Sequence, residues 1–275
     1  MPLAIHLFHG FLVGMAGLLP GLCGSTLLVL FGIYRPLTAA LARPFDHFQS
    51  NLKRFAPFFV AAGIGILVGS RLLATVFARH ETATLYLFVG FMLGALPDLF
   101  RHARDTKGHP VGWIGFAASF GACVALSFAQ SLLLPRATVA NPGFAAWTLA
   151  GAGIGIGSIV PGASVAFLLI FFGIYQPMLD GVARLDLGVL IPLGLGAGTA
   201  ILTLAKAVDW FFRAAESFAT RCVLGLVAGS IVLVFPGWPG GKSGVACILL
   251  LLLGAFLSSK LNRLAPPRNM RTSHS

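Results

Sequence analysis

Two short segments of this sequence combine a Pro-Gly step with small and hydroxyl-bearing residues inside long apolar blocks. The first reads PGLCGST from Pro20, and the second reads PGAS from Pro161. A Pro-Gly step interrupts a helix, so the backbone N–H groups that open the next helix have no intrahelical partner. Such groups attract anions, and hydroxyl side chains add further donors. The residues expected to form this anion site are Gly21, Cys23, Gly24, Ser25, Thr26, Gly162, Ala163 and Ser164. The alternative, that the small residues only pack a tight turn, stays open.

Two cations interrupt apolar blocks that are otherwise long enough to span a membrane. They are Arg71 and Lys206, and the acidic residue nearest in depth is Asp209, one turn from Lys206. An ionised side chain inside a bilayer is costly and usually has a partner or a task. We therefore add both cations to the expected anion site. Snorkelling of each side chain to the nearer interface is the alternative.

The sequence lacks the residue patterns of common catalytic sites. It has no paired carboxylates at catalytic spacing, no nucleophile elbow, no HExxH segment and no P-loop. Its cysteines are far apart and form no CxxC pair, so we expect neither a disulfide nor a metal site. They are Cys23, Cys123, Cys222 and Cys247. No enzymatic activity and no cofactor are predicted.

The composition is that of an integral membrane protein. Hydrophobic residues make up 57% of the 275 residues and charged residues only 10%, against roughly 25% charged in soluble proteins. The apolar residues form blocks near the ~20 residues that a helix needs to cross a bilayer. The net charge of +11 comes from Lys and Arg in short loops and in the tail. Membrane topology and contact with membrane lipids explain these charges better than nucleic acid does.

An internal repeat covers most of the chain. The segment LPGLCGSTLLVLFGIYRPL, from Leu19, returns from Val160 as VPGASVAFLLIFFGIYQPM. The likeness continues after a loop that is six residues shorter in the second copy, and it aligns Arg71 with Lys206. The tyrosines that end the two segments, Tyr34 and Tyr175, are interpreted as aromatic anchors at the membrane interface. Repeats of this kind are typical of transporters.

Each unit begins with an apolar block that the Pro-Gly step divides into halves of about 13 to 16 residues. Such a block is either one broken helix that crosses the bilayer or a re-entrant hairpin. At ~1.5 Å per residue each half reaches only partway across a ~30 Å core. The positive-inside rule then distinguishes the two interpretations. With hairpins, thirteen Lys and Arg residues lie on one face and four on the other, whereas crossing blocks divide them eight against nine. We therefore predict hairpins.

The predicted fold is an all-α polytopic membrane protein with two inverted-topology repeats, each a re-entrant helical hairpin followed by three transmembrane helices. Three is an odd number, so the second unit starts on the opposite face. Residues 1–110 hold the first repeat (hairpin 3–34, helices 55–78 and 84–100), 111–142 a connecting transmembrane helix and loop, 143–236 the second repeat (hairpin 144–175, helices 187–212 and 219–236), and 237–275 the last transmembrane helix and a basic tail. Both termini are expected on the cytoplasmic face.

The two motifs resemble those of a known family. PGLCGSTLLVLFGIY and PGASVAFLLIFFGIY are similar to the paired PG-x-S-G-[GS]-[TS] and LGIY signatures of the bacterial polyprenyl-phosphate transporter family, formerly a membrane domain of unknown function. The resemblance implies that the protein returns undecaprenyl phosphate, the lipid carrier of cell-envelope synthesis, from the outer to the inner leaflet of the cell inner membrane.

The chain departs from the family pattern at several positions and is identified as a divergent member. Cys23 stands where Ser is usual, Ser25 where Gly is usual, and Gly17 where an Asp often precedes the first Pro-Gly. In the second motif Val165 and Ala166 replace Gly-Ser. The missing Asp leaves the coupling ion open between a proton and sodium.

The predicted function is therefore that of a flippase for undecaprenyl phosphate. A secondary transporter of a small soluble anion is the runner-up, and a membrane enzyme acting on lipid phosphates or a scaffold protein is less favoured. The apolar surroundings of both hairpins suit a substrate whose hydrocarbon tail stays in lipid. The two N-terminal histidines, His6 and His9, are weak candidates for a proton step. The pattern does not decide the oligomeric state or the direction of transport.

Overall fold

The computed structural model describes residues 3–21, 24–33, 48–106, 112–133, 142–159, 166–238 and 243–264. Within these ranges the chain forms eleven α-helices and no strand. Part of the predicted anion site lies outside the described residues, namely Cys23, Gly162, Ala163, Ser164 and the side chains of Ser25, Thr26 and Lys206.

The helices are α1 (Leu3–Leu18), α2 (Gly24–Leu30), α3 (Phe48–Arg79), α4 (Glu81–Asp105), α5 (Gly112–Leu133), α6 (Phe144–Ile159), α7 (Ala166–Phe171), α8 (Tyr175–Ala183), α9 (Leu187–Ala214), α10 (Glu216–Val234) and α11 (Ser243–Leu264). Six of them are long and apolar enough to cross a membrane, and these are α3, α4, α5, α9, α10 and α11. The prediction of an all-α polytopic membrane protein with six spanning helices is confirmed. The predicted and observed helix ends differ most at the start of α3, seven residues before the predicted position, and at the end of α4, five residues after it.

The first helix of each hairpin ends where the sequence predicts a break. Helix α1 ends two residues before Pro20, and α6 ends two residues before Pro161. The expected length of the second halves was wrong, because α2 has 7 residues and α7 has 6.

Glycine explains why these second halves are short. Gly32 and Gly173 both have φ 69°, the left-handed conformation that ends a helix. In each copy the amide after the glycine then bonds back over the last turn, Ile33 N–H to the Leu28 carbonyl and Ile174 N–H to the Leu169 carbonyl, both at 2.9 Å. The repeated Gly-Ile pair therefore ends both short helices. Hydropathy does not reveal these ends, because the residues around them are all apolar.

The first helix of each hairpin packs in parallel against the first spanning helix of its unit. A side chain at Gly10 would collide with the Phe58 carbonyl oxygen, and one at Gly14 with that of Ala62. In the second unit the same collisions pair Gly151 with Leu193 and Gly155 with Ala197. Residue numbers rise together along both helices, so α1 and α3 start on the same side of the molecule, as do α6 and α9. A chain that returns to its starting side before α3 is what a hairpin requires.

The other spanning helices pair across the two units, and again in parallel. Gly90 and Gly94 of α4 pack on the Leu251 and Ala255 carbonyls of α11. Their counterparts on α10, Gly225 and Gly229, pack on Phe116 and Phe120 of α5. The positions in α4 and α10 differ by 135 residues, and so do those in α5 and α11, which is the shift that aligns the two copies after the shortened loop. The repeated sequence therefore makes repeated contacts.

Helices α4 and α10 lie at the centre. In the 18-residue apolar stretch of each helix, 61% of α4 and 56% of α10 is buried, against 17–28% in the other four spanning helices. The outer helices expose large apolar side chains, for example Leu72 of α3, Leu202 of α9 and Leu252 of α11. In a soluble protein such surfaces would be unstable, so these faces are suited to lipid.

Candidate functional site

The break in the first hairpin is packed against the centre of the molecule. Gly21 has φ 82°, and a Cβ there would lie 2.7 Å from the Met92 backbone nitrogen in α4. Only glycine combines this backbone conformation with so close an approach. Gly24, the first residue of α2, has more room, because its Cβ would lie 3.6 Å from Val13. Gly21 therefore shapes and seats the turn, while Gly24 stands in a less crowded position.

Tyr175 reaches this break from the second unit. Its hydroxyl donates a hydrogen bond of 2.7 Å to the carbonyl of Leu18, the last residue of α1. The side chain is 1% exposed, and its ring meets Phe77 and Phe88 edge to face. The interpretation of Tyr175 as an interface anchor was wrong, because an anchor needs one end in water. The repeated GIY segment drew attention to Tyr175 but did not indicate its contact with the first hairpin, because polarity alone does not distinguish a buried tyrosine from an interfacial one.

Arg71 is exposed and contacts the second unit by its side chain. Its Nε donates a 3.1 Å hydrogen bond to the carbonyl of Ala183, the last residue of α8. The carboxyl end of a helix carries unpaired carbonyls and partial negative charge, so a cation is favourable there. A guanidinium has five N–H donors, of which this bond uses one.

The break and Arg71 lie at a similar depth. Gly69 of α3 faces the end of α1, where its Cβ would be 3.0 Å from Leu18 Cδ1 and 3.3 Å from Met15 Cγ. Arg71 follows two residues later and is eight residues from the end of α3 at Arg79, which is about 12 Å along the helix. Along the axis of α3, Arg71 therefore stands near the level of the end of α1, and a joint role of Arg71 and the break in anion binding stays a prediction.

The exposed face around Arg71 is apolar. Val68, Leu72 and Val76 are 45%, 54% and 37% exposed and occupy the same side of α3 at helical spacing. This stripe faces outward, as do the other lipid-suited surfaces. The Arg71 cation therefore lies in a surface that a hydrocarbon chain can cover.

The second unit repeats the backbone arrangement. Because Gly155 packs on Ala197 as Gly14 packs on Ala62, the Lys206 backbone in α9 stands where Arg71 stands in α3. The contribution of Lys206 to anion binding stays a prediction.

His9 of α1 joins the two arms of the first hairpin. The His9 ring stacks on Phe31 with centroids 3.9 Å apart and planes at 6°. Among the described residues, no group of three or more His, Cys, Asp or Glu side chains is placed to hold a metal ion.

Comparison with known proteins adds the decisive observation. The undecaprenyl phosphate translocase-like family model matches residues 2–111 and 102–248, which together include both hairpins and Arg71. The chain belongs to this family. It is 23% identical over 278 residues to a polyprenyl-phosphate transporter of Staphylococcus aureus, covering 94% of this chain and 96% of that protein. It is 21% identical over 262 residues to a polyprenyl-phosphate transporter of Vibrio cholerae, covering 88% and 82%. No solved structure matches the chain.

The two ranges matched by the family model cover both copies of the repeat. The low identity agrees with the altered motif positions Cys23, Ser25 and Gly17. The expected resemblance to the polyprenyl-phosphate transporters is confirmed.

Proposed function

We propose that this protein is a flippase that moves undecaprenyl phosphate, a polyprenyl-phosphate lipid carrier, across the cytoplasmic membrane. The observation that carries the proposal is the position of Arg71, a cation level with a helix break, on an apolar face suited to lipid. Two relatives that align along nearly the whole chain are named for transport of this class of lipid. The expected role is recycling of the carrier for cell-envelope synthesis.

The surroundings of Arg71 favour a lipid over a small soluble anion. A soluble anion needs a polar path from water, whereas a phosphate on a polyprenyl chain reaches the cation sideways while its tail stays in the bilayer. The exposed stripe of Val68, Leu72 and Val76 suits such a tail. A small soluble anion at the same stripe would lose water molecules from its hydration shell, and the apolar side chains would provide no hydrogen bonds in their place.

Phosphate recognition is assigned to both hairpin breaks. In the first unit, Arg71 supplies charge, and the backbone and hydroxyls of the break supply donors. In the second unit, Lys206 takes the place of Arg71. The break residues so assigned are Gly21, Cys23, Gly24, Ser25, Thr26, Gly162, Ala163 and Ser164. Two related sites would allow a phosphate to be received on either side of the membrane.

The two units are proposed to have inverted topology. Consecutive spanning helices joined by short loops run in opposite directions, so α3, α4 and α5 alternate, and so do α9, α10 and α11. Because α5 runs parallel to α10, and α4 to α11, α3 and α9 run in opposite directions. Inverted repeats of this kind support alternating access around a central site.

No chemical step is needed for this activity, so the protein is proposed to act without catalysis or cofactor. A proton or sodium gradient is the expected source of energy. The location is the inner membrane of the cell, with both termini in the cytoplasm, as the uneven distribution of Lys and Arg supports.

The test is binding of undecaprenyl phosphate to the purified chain in nanodiscs, with undecaprenol as the uncharged control. We expect wild type to bind the phosphate form and Arg71→Gln to bind it at least tenfold more weakly, because charged hydrogen bonds contribute roughly 1.5–3 kcal/mol. Arg79→Gln is the matched control, since Arg79 is an exposed cation at the end of the same helix.

Two outcomes would contradict the proposal. Equal binding of undecaprenol would show that the phosphate is not recognised. Binding of inorganic phosphate with no preference for the lipid would favour the soluble-anion transporter instead.

A further inference from the structure

Helix α8 belongs to the second unit in sequence, yet the first unit binds it at both ends. At its start, the Tyr175 hydroxyl donates to the Leu18 carbonyl at 2.7 Å. At its end, the Ala183 carbonyl accepts from Arg71 Nε at 3.1 Å. Between them, Met178, Leu179 and Val182 are buried in the central core. One short helix therefore contacts the last residue of α1 from its start and Arg71 from its end.

The Tyr175 bond determines how the chain leaves α1. The last carbonyls of a helix lack intrahelical partners, and inside a membrane no water replaces them. The Leu19 amide donates a hydrogen bond to the Ala16 carbonyl at 3.1 Å, and the Tyr175 hydroxyl donates one to the Leu18 carbonyl. These two bonds hold the end of α1 directly before Pro20 and Gly21.

Tyr175 is itself held in place. Its ring lies edge to face with Phe77 at 5.9 Å and with Phe88 at 6.0 Å. A side chain that is 1% exposed and enclosed by two rings keeps one orientation. The hydroxyl is therefore a fixed reference point for the hairpin.

We propose that Tyr175 is a positioning residue, whose hydroxyl holds the break of the first hairpin in register with Arg71 so that both engage one phosphate group. The second unit thereby sets the affinity of a site on the first. This inference rests on the proposed function, because it takes the break and Arg71 as the place where the lipid phosphate binds.

The chain offers a matched control in Tyr86. This tyrosine is also buried, at 3% exposed, and its hydroxyl also donates to a backbone carbonyl, that of Gly237 after α10. Tyr86→Phe and Tyr175→Phe each remove one hydroxyl and one such bond while preserving the ring. Only Tyr175 bonds to the hairpin.

The experiment compares wild type, Tyr175→Phe and Tyr86→Phe as full chains in nanodiscs. It measures the affinity for farnesyl phosphate, the affinity for farnesol, the unfolding temperature and the amide hydrogen exchange of residues 11–21. We expect Tyr175→Phe to weaken farnesyl phosphate binding about three- to tenfold, the effect of one lost hydrogen bond. It should leave farnesol binding unchanged and speed exchange at the end of α1. Tyr86→Phe should lower the unfolding temperature to a similar extent while retaining wild-type affinity and exchange.

Wild-type affinity in Tyr175→Phe would overturn the positioning role, and so would equal weakening in both variants, which would trace the effect to stability. Failure of wild type itself to bind farnesyl phosphate would count against the proposed function. Hydrogen exchange of residues 11–21 then tests, without any ligand, whether the Tyr175 hydroxyl holds the end of α1. Unchanged exchange in Tyr175→Phe would overturn the inference.

Discussion

Gly65 of α3 lies against Phe11 of α1 so closely that any side chain at Gly65 would collide with the Phe11 carbonyl oxygen. Two residues earlier, Gly63 has no neighbouring atom within 4 Å of its Cβ position. The two glycines share one helix and differ only in what they face. They therefore form a matched pair for testing the parallel packing of α1 on α3.

We expect Gly65→Leu to destabilise the protein by about 1 to 3 kcal/mol, because a backbone carbonyl cannot move aside without shifting the whole helix. Gly63→Leu should leave stability nearly unchanged, since its side chain enters the open face. Thermal unfolding in detergent measures both. Equal unfolding temperatures for the two variants would be incompatible with the described register.

The pairing of α5 with α10 predicts a disulfide between the two units. A Cβ at Gly115 would lie 2.6 Å from the Sγ of Cys222, which is a free thiol. Gly115→Cys should therefore form a disulfide with Cys222 on mild oxidation. The measurement is gel mobility after cleavage at a protease site inserted between residues 134 and 141, where a disulfide keeps the fragments together. Gly121→Cys on the same helix has open space and should leave the fragments separable.

The left-handed glycines that end the short helices should not tolerate side chains. At Gly173, φ is 69°, and alanine in this conformation costs about 1 to 2 kcal/mol. We expect Gly173→Ala to lower the unfolding temperature. Gly17→Ala is the control, since Gly17 is helical with open space around it and alanine favours a helix by up to ~1 kcal/mol. A Gly173→Ala variant as stable as wild type would argue against the described helix end.

Arg221 is a buried cation that joins α10 to the end of α4 and the start of α5. Its Nε donates to the Ala103 carbonyl at 3.4 Å, and its guanidinium lies 5.1 Å over the Trp113 ring. Arg221→Lys retains the charge but loses the planar group that stacks and donates together. We expect it to destabilise the protein by about 1 to 3 kcal/mol.

The control for that change is Arg104→Gln, which alters an exposed arginine near the end of α4. Its effect should stay within about 0.5 kcal/mol, as is usual for surface substitutions. Denaturant or thermal unfolding of the two variants side by side makes the comparison. An Arg221→Lys protein with wild-type stability would mean that charge alone suffices at this position.

Several features of the fold were predictable because they depend on local sequence. Hydropathy located the six spanning helices, since crossing lipid requires a continuous apolar stretch. The Pro-Gly steps located both breaks, since the pair combines a proline that lacks a backbone N–H with a glycine that adopts conformations closed to other residues. The repeat aligned Arg71 with Lys206, and the packing glycines of α4, Gly90 and Gly94, correspond to Gly225 and Gly229 of α10 by the same shift of 135 residues.

The contacts of the predicted site residues could be foreseen only in part. A charge inside an apolar block marked Arg71, but nothing near it in sequence indicates that Ala183, more than a hundred residues later, accepts its hydrogen bond. Helix α8 was missed for a similar reason, because nine residues between a hairpin and a spanning helix resemble a loop. Tyr175 looked like an interface residue, because its type is common at both the interface and the core.

The sequence by itself determined that this chain is a membrane protein, that it consists of two copies of one unit, and where the helical hairpin of each unit is interrupted. The membrane location and the breaks depend on residues within about one helix length of each other, through hydrophobicity and backbone chemistry, and the duplication is visible by aligning the chain with itself. Tertiary structure alone decided that each unit's third spanning helix packs on the other unit, and that Tyr175 of one unit holds Leu18 of the other. Such contacts depend on the joint packing of distant segments, which no local pattern encodes.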